Sequence, residues 1–175
     1  MHPVTIPQIY LDTSVVIGAL HPGIPDSAAC ALFAQQLAAQ RTRIYISFAL
    51  RIDFGRAVRR IATKPDKIPA QLRNAYSPDE WGPNPLVRHR WLRRELRLLD
   101  GFLQQFAVVT EIPLNQDIWT LSIEIMGAEG LDATDALHLA AARAEWIPAF
   151  ATCDRDFRRI AVPHIHLIRD NAEQE

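Results

Sequence analysis

The sequence predicts an α/β fold in which helices cover both faces of a parallel sheet. Two observations predict it. Short β-rich runs alternate with helical patterns along the chain, the rhythm of successive βα units. At 175 residues, 49% of them hydrophobic and with no long biased tract, the chain is long enough to bury one substantial core and short enough to need only one.

The strands are Gln8 to Leu11, Arg43 to Ser47, Ala107 to Ile112, Phe150 to Cys153 and His164 to Ile168. Ser14 to Leu20 and Ser27 to Gln40 are helices that fill the first crossover. Phe48 to Thr63 makes the next, with Leu50, Phe54, Val58 and Ile61 recurring at helical spacing. Arg88 to Phe106 is a further helix, strongly basic in its first half. Asn115 to Met126 and Ala133 to Trp146 follow; the second is apolar nearly all round and is expected to lie buried between other elements.

One stretch breaks the rhythm. Lys64 to Pro85 carries Pro65, Pro69, Pro78, Pro83 and Pro85, too many for one continuous helix. A Pro-rich surface insertion at about 64–87 is therefore expected within a single domain spanning 1–175. Around it Tyr76, Trp81 and Trp91 interleave with Arg73, Arg88, Arg90, Arg93 and Arg94. Such aromatic and guanidinium planes suit stacking on unpaired bases, and equally could pin the insertion to the body of the domain. There is no internal repeat.

No Lys or Arg precedes Arg41, so the N-terminus lacks the positive region of a signal peptide, and no apolar run has the composition of a membrane span of ~18–20 residues. A cytoplasmic protein that enters no membrane is the expectation. Cys30 and Cys153 lie far apart in sequence and have no Cys or His at zinc spacing, which argues for free, buried thiols. The net charge of −1 hides an asymmetry: residues 41–97 hold 14 of the 19 Lys and Arg against 5 acids, a balance of +9, and the remainder carries −10. A basic surface beside an acidic pocket suits a polyanionic substrate; a solvated, salt-bridged helix face is the plain alternative.

The acids that matter are Asp12, Asp53, Asp135 and Asp154. Each ends an apolar strand or sits on a largely apolar helix, where a carboxylate is costly unless something binds it. Singly, each has an ordinary explanation. Asp12 before Thr13 and Ser14 can cap the next helix, and Asp132 can cap the helix in which Asp135 then takes the third position, favoured by the helix dipole. Asp53 has Ala49 and Ala57 one turn away on its face, leaving room for close approach, with an Arg56 pair as the competing explanation. Asp154 and Asp156, after Thr152, can serve as turn and cap acids. Together they imply more. In an open parallel sheet, ligands bind beyond the carboxyl ends of the strands where strand order reverses, and Asp12 and Asp154 end two such strands. Clustered carboxylates repel, a divalent cation relieves that repulsion, and an all-oxygen donor set favours Mg2+ or Mn2+ over zinc. His138, one turn after Asp135, is read as a satisfied core histidine; His164 and His166 share one side of a strand and are given no chemistry.

Four motifs carry a family resemblance: Ile9-Tyr10-Leu11-Asp12-Thr13-Ser14; Ile46-Ser47 with Asp53 six residues on; Asp132-Ala133-Thr134-Asp135-Ala136-Leu137-His138-Leu139-Ala140; and Thr152-Cys153-Asp154-Arg155-Asp156-Phe157. In that order, over nearly the whole chain, they resemble a PIN-domain ribonuclease, in particular the toxin of virulence-associated toxin–antitoxin pairs. The resemblance implies a three-layer α/β/α fold with a parallel sheet ordered 3-2-1-4-5. It implies Mg2+- or Mn2+-dependent RNA cleavage with Asp12, Asp53, Asp135 and Asp154 as catalytic and metal-binding acids. Asp156 joins the implied metal set, with Ser14, Thr152 and Asp132 accessory. An RNA substrate, an antitoxin partner and a homodimer come with it. Asp53 stands where the family usually has Glu, one methylene longer, and the insertion makes this chain longer than the compact toxins.

Other classes compete. A phospho-acceptor receiver domain shares the alternating architecture but needs a late-chain Lys, and the lysines here are Lys64 and Lys67. A haloacid-type phosphatase would want Asp two residues after Asp12, where Ser14 stands. A catalytically inactive PIN-like module that binds RNA or protein stays open, since fold alone does not fix function.

Overall fold

The computed structural model describes residues 6–62 and 85–170. The strands are β1 (Gln8–Leu11), β2 (Arg43–Ser47), β3 (Val108–Ile112), β4 (Ala149–Thr152) and β5 (His164–Leu167). Between them run α1 (Thr13–Leu20), α2 (Ser27–Ala39), α3 (Phe48–Ala62), α4 (Pro85–Leu103), α5 (Gln116–Glu129) and α6 (Ala133–Ala144), with a 3-10 turn at Arg155–Arg159. All pairings are parallel, and the order is β3-β2-β1-β4-β5, the one the family resemblance implies.

The layers follow from side-chain alternation along strands buried on both faces. Ile9 and Leu11 of β1, Ile44 and Ile46 of β2, and Ala149 and Ala151 of β4 point into a core shared with α1, α2, α3 and α4. Tyr10 and Phe150 point the other way, into a second core with Ile118 and Ile125 of α5 and Leu139 of α6. There Phe150 stacks on Tyr10, centroids 5.1 Å apart, and on Phe157, 4.9 Å apart, fixing the turn after β4 against the sheet.

Helix ends obey capping chemistry more closely than periodicity. Asn115 caps α5 by accepting from the Ile118 amide, and Gly130, at φ 65°, ends it with its N–H on the Met126 carbonyl, three residues later than the apolar pattern predicts. Asp132 caps α6 as expected, accepting from the amides of Thr134 and Asp135. That helix stops at Ala144, and Trp146, expected inside it, stands at φ 53° and 89% exposed. α4 begins at Pro85 rather than Arg88, since proline's fixed φ and missing N–H are tolerated in a first helical turn. The Pro-rich stretch, with Tyr76 and Trp81, lies outside the described residues. Trp91 is not a platform for bases: it is 2% exposed and belongs to the first core.

Gly18 marks where α1 and α2 approach most closely. A Cβ there would stand 2.6 Å from Cys30 Sγ and 2.9 Å from Cys30 Cβ. Gly18→Ala should therefore destabilise the fold by about 1–3 kcal/mol through overpacking, after the ~1 kcal/mol gain in helix propensity is offset. Chemical denaturation measures it, and adding Cys30→Ala should restore most of the loss. A stabilising single substitution would show that the helices part without cost.

Candidate active site

The sheet order reverses between β1 and β4, which places their carboxyl ends side by side. The Asp12 amide extends that pairing with a 3.0 Å bond to the Ala151 carbonyl. Immediately beyond it opens a cavity of about 370 Å3 lined by Asp12, Asp53, Asp132, Asp135 and Asp154, with Arg56 and Arg60 also on its wall. Four separate elements deliver these acids: the end of β1, α3, the start of α6 and the turn after β4. The four principal acids singled out from the sequence thus line one space, and Asp132 joins them. Asp156 does not: it is exposed, and its amide donates to Asp154 Oδ1 at 2.8 Å in the cap of the 3-10 turn.

Asp12 is the anchor. It is 4% exposed, and its carboxylate is held from several sides. Oδ1 accepts from the Thr13 amide at 2.7 Å; Oδ2 accepts from the Ser14 hydroxyl at 2.5 Å and from the Thr152 hydroxyl at 2.8 Å. Those hydroxyls are fixed in turn, because Ser14 Oγ accepts from the Cys153 amide at 2.9 Å and Thr152 Oγ1 from the Asp154 amide at 2.9 Å. This satisfies buried polar groups that would otherwise be costly and locks the carboxylate's orientation.

Behind the acids runs a buried chain of polar groups. Tyr10 Oη lies 2.7 Å from Ser47 Oγ and 2.7 Å from His138 Nδ1, while His138 Nε2 lies 3.2 Å from Thr13 Oγ1 and 3.9 Å from Asp12 Oδ1. Both ring nitrogens of His138 are engaged and the ring is fully buried, so it is the satisfied core histidine the sequence indicates. Burial pushes its pKa down against the raising pull of Asp12 and Asp53, and burial pushes the Tyr10 hydroxyl up.

The acids themselves register their crowding. Asp135 is pushed up to about 8, first by desolvation and then by the charges of Asp12, Asp132, Asp154 and Asp53. Asp53 is also raised, mainly by burial, with Asp12 adding to the rise while His138, the Thr13 hydroxyl and Arg60 oppose it. Arg56 Nη1 reaches Thr134 Oγ1 at 3.4 Å. Among the described residues no three Asp, Glu, His or Cys side chains already stand together as a ready-made metal cage. The carboxylates face one another across open space instead.

Tyr10, Thr13 and Ser47 lie within the sequence motifs but carry no role there, and Arg60 lies outside them; all four belong to the site or to the polar chain behind it. Asp53, Arg56, Ala57 and Arg60 follow i, i+3, i+4, i+7 spacing, which puts both arginines on the face of α3 that carries the acid. Tyr10, alternating with Ile9 and Leu11, had to face the opposite core, and only pairing in space reveals His138 and Ser47 beside it.

A PIN domain family profile matches residues 9–163. Among solved structures, VapBC2 from Rickettsia felis, crystallised with a DNA fragment from its promoter, contains a chain similar to this one. The two share 16% identity and a TM-score of 0.55, covering 91% of this chain and 98% of that one, a likeness of fold. No curated protein matches the chain.

A pH dependence follows from Asp135. Unfolded, its carboxyl titrates near 3.8; folded, near 8. Between those values the folded state holds a proton that the unfolded chain has released, so this group's contribution to stability falls as pH rises and levels off above the window. The rise in Asp53 acts in the same direction. In chelator, the melting temperature should decline between about pH 5 and about pH 8, and Asp135→Asn should flatten the decline. A variant curve parallel to that of the wild type would remove Asp135 as its source.

Proposed function

Because the chain belongs to the PIN domain family, whose members are generally nucleases, we propose that it is a metal-dependent ribonuclease and the toxin of a toxin–antitoxin pair. The observation that carries this is the gathering of five carboxylates around one cavity at the switch point of the sheet, with Asp135 raised to about 8 by burial and then by the charges of its neighbours. Such an arrangement is electrostatically unfavourable when empty and is relieved by a divalent cation.

Asp12, Asp53, Asp135 and Asp154 are the residues that would hold Mg2+ or Mn2+. Bound there, the ion would make water a better nucleophile at neutral pH and neutralise charge on the phosphodiester. The protein's own groups do the positioning. Ser14 and Thr152 fix the Asp12 carboxylate, and Asp132 holds the first turn of α6 so that Asp135 faces the cavity. Arg56 and Arg60 on the wall offer guanidinium groups to the sugar–phosphate backbone, which orients the strand without reading its sequence. Water attacks phosphorus, the bond to the leaving ribose oxygen breaks, and that oxygen takes up a proton.

Purified protein should cleave single-stranded RNA with Mn2+ or Mg2+ and lose cleavage in chelator. Asp12→Asn and Asp135→Asn should each reduce the rate by more than about 100-fold. Thr152→Ala, which removes only a support of Asp12, should cost about 10–100-fold. Equal cleavage by wild type and both Asn variants would identify a contaminant.

A second reading has an observation of its own: the absence, among the described residues, of a preformed three-group cage, together with the short reach of Asp53, is what an inactive RNA- or protein-binding module would show. Manganese separates the two readings. Saturating Mn2+ at 100 times its Kd should stabilise the nuclease by about 2.7 kcal/mol, whereas the inactive module should show no thermal shift.

An antitoxin partner is part of this reading, drawn from the family resemblance and from the likeness of fold to a chain of VapBC2 from Rickettsia felis. An apolar groove of about 380 Å3 between α3 and α4 offers a seat, lined by Ile52, Leu92 and Leu96 and edged by Arg51, Arg56 and Arg59. Co-expression with the product of the immediately upstream gene should yield a complex weakened by Ile52→Asp. Independent migration of the two chains would remove that gene product as partner.

A further inference from the structure

Two sulfurs that are 123 positions apart in sequence meet beside the acid cavity: Cys30 Sγ and Cys153 Sγ stand 3.2 Å apart, closer than ordinary van der Waals contact, as free thiols. Cys30 is fully buried on α2, and Cys153, the residue after β4, is half-buried. The approach is built into the packing. Gly18 leaves the volume that Cys30 occupies, since any Cβ at that glycine would overlap the thiol. Cys153 is held by its amide, which donates to Ser14 Oγ at 2.9 Å. We propose that Cys30 and Cys153 are an oxidative modification site: a peroxide converts this thiol pair into a reversible intrachain disulfide that clips the first crossover to the end of β4.

The bond requires little motion. The sulfurs must close from 3.2 Å to about 2.05 Å, a shift the two side chains can share. The half-buried Cys153 meets the oxidant first. Its sulfur attacks one oxygen of hydrogen peroxide, the O–O bond breaks, and the thiol proton leaves with the departing oxygen as water, giving a sulfenic acid. Cys30 sulfur then attacks the sulfenic sulfur. The S–O bond breaks, the S–S bond forms, and the hydroxyl leaves with the Cys30 proton as a second water. Two thiols are oxidised by two electrons and one peroxide is reduced. The Cys153 contact and burial both push the Cys30 thiol up, consistent with its acting second. In a reducing compartment the pair rests as thiols, and a disulfide there marks exposure to an oxidant.

The site is independent of the nuclease assignment, and so is its test. The full chain is treated with a few equivalents of hydrogen peroxide, alkylated, and analysed by intact mass and non-reducing peptide mapping. A loss of two hydrogens, a Cys30–Cys153 cross-linked peptide, recovery of both thiols with dithiothreitol and a melting temperature raised by at least about 5 °C are expected. Cys30→Ser, with Cys30→Ala as an alternative should the first fold poorly, should instead accumulate a dimedone-reactive sulfenic acid at Cys153. Oxygen addition at Cys153 of the wild type while Cys30 stays alkylatable, or disulfides found only between chains, would overturn the proposal.

Discussion

The parallel pairing of β1 with β4 is the constraint on which the acid cavity depends. It sets Leu11 against Ala151 and is extended by the Asp12 amide on the Ala151 carbonyl. In chain order β2 and β3 build outward on one side of β1, and β4 and β5 on the other. No crossover then covers the notch between the ends of β1 and β4, so backbone there stays open to a ligand. Acids placed just past those two strand ends must share the notch whatever their separation along the chain.

Two carboxylates about 4 Å apart repel by roughly 4 kcal/mol at an effective dielectric near 20. Gathering five around one cavity is therefore an expense the rest of the fold must outweigh. The apolar layers supply what outweighs it: β4 is buried at every residue, and the Tyr10–Phe150–Phe157 stack holds the sheet and the following turn together beneath the site. At about 1.5–3 kcal/mol for each large apolar side chain buried, a handful of such residues suffices. The hydrogen bonds around Asp12 serve a different end. Individually modest in net stability, they fix the orientation of one buried carboxylate, while Asp53 and Asp135 are only partly buried.

Most of the fold was legible because both periodicities are clean. Gln8–Leu11 and Arg43–Ser47 coincide with the expected strands, and the helices differ mainly at their ends, where Gly130 and Trp146 take backbone conformations that hydrophobic spacing does not encode. The acids were legible for a related reason: a charge at the end of an apolar run stands out against its surroundings. What stayed hidden shares one property, that its meaning lies in a partner distant in sequence. Tyr10 looks like an ordinary strand aromatic until His138 and Ser47 are beside it, and Cys30 and Cys153 look like isolated thiols until α2 folds back across α1. Trp91 takes the second of its two readings, packing into the body of the domain, and proximity to arginines along the sequence could not decide which face is buried. Asp156 enters the metal set only through the family resemblance, and the 3-10 turn keeps it out of the cavity lining, in the turn that its own sequence context indicates.

Three consecutive residues after β4 illustrate how tightly these roles are packed. The Thr152 hydroxyl holds Asp12, the Cys153 amide holds the Ser14 hydroxyl that also holds Asp12, and Asp154 lines the cavity while capping the next turn. The same short segment carries a sulfur in contact with Cys30, on a backbone already committed to orienting the acids. Ser14 is the point of transmission: it touches the cysteine's amide on one side and the carboxylate on the other. A displacement of the Cys153 backbone would lengthen the Ser14 bond or turn the Asp12 carboxylate, so in a close-packed interior rotation of the two cysteine side chains is the motion that leaves the acids in place.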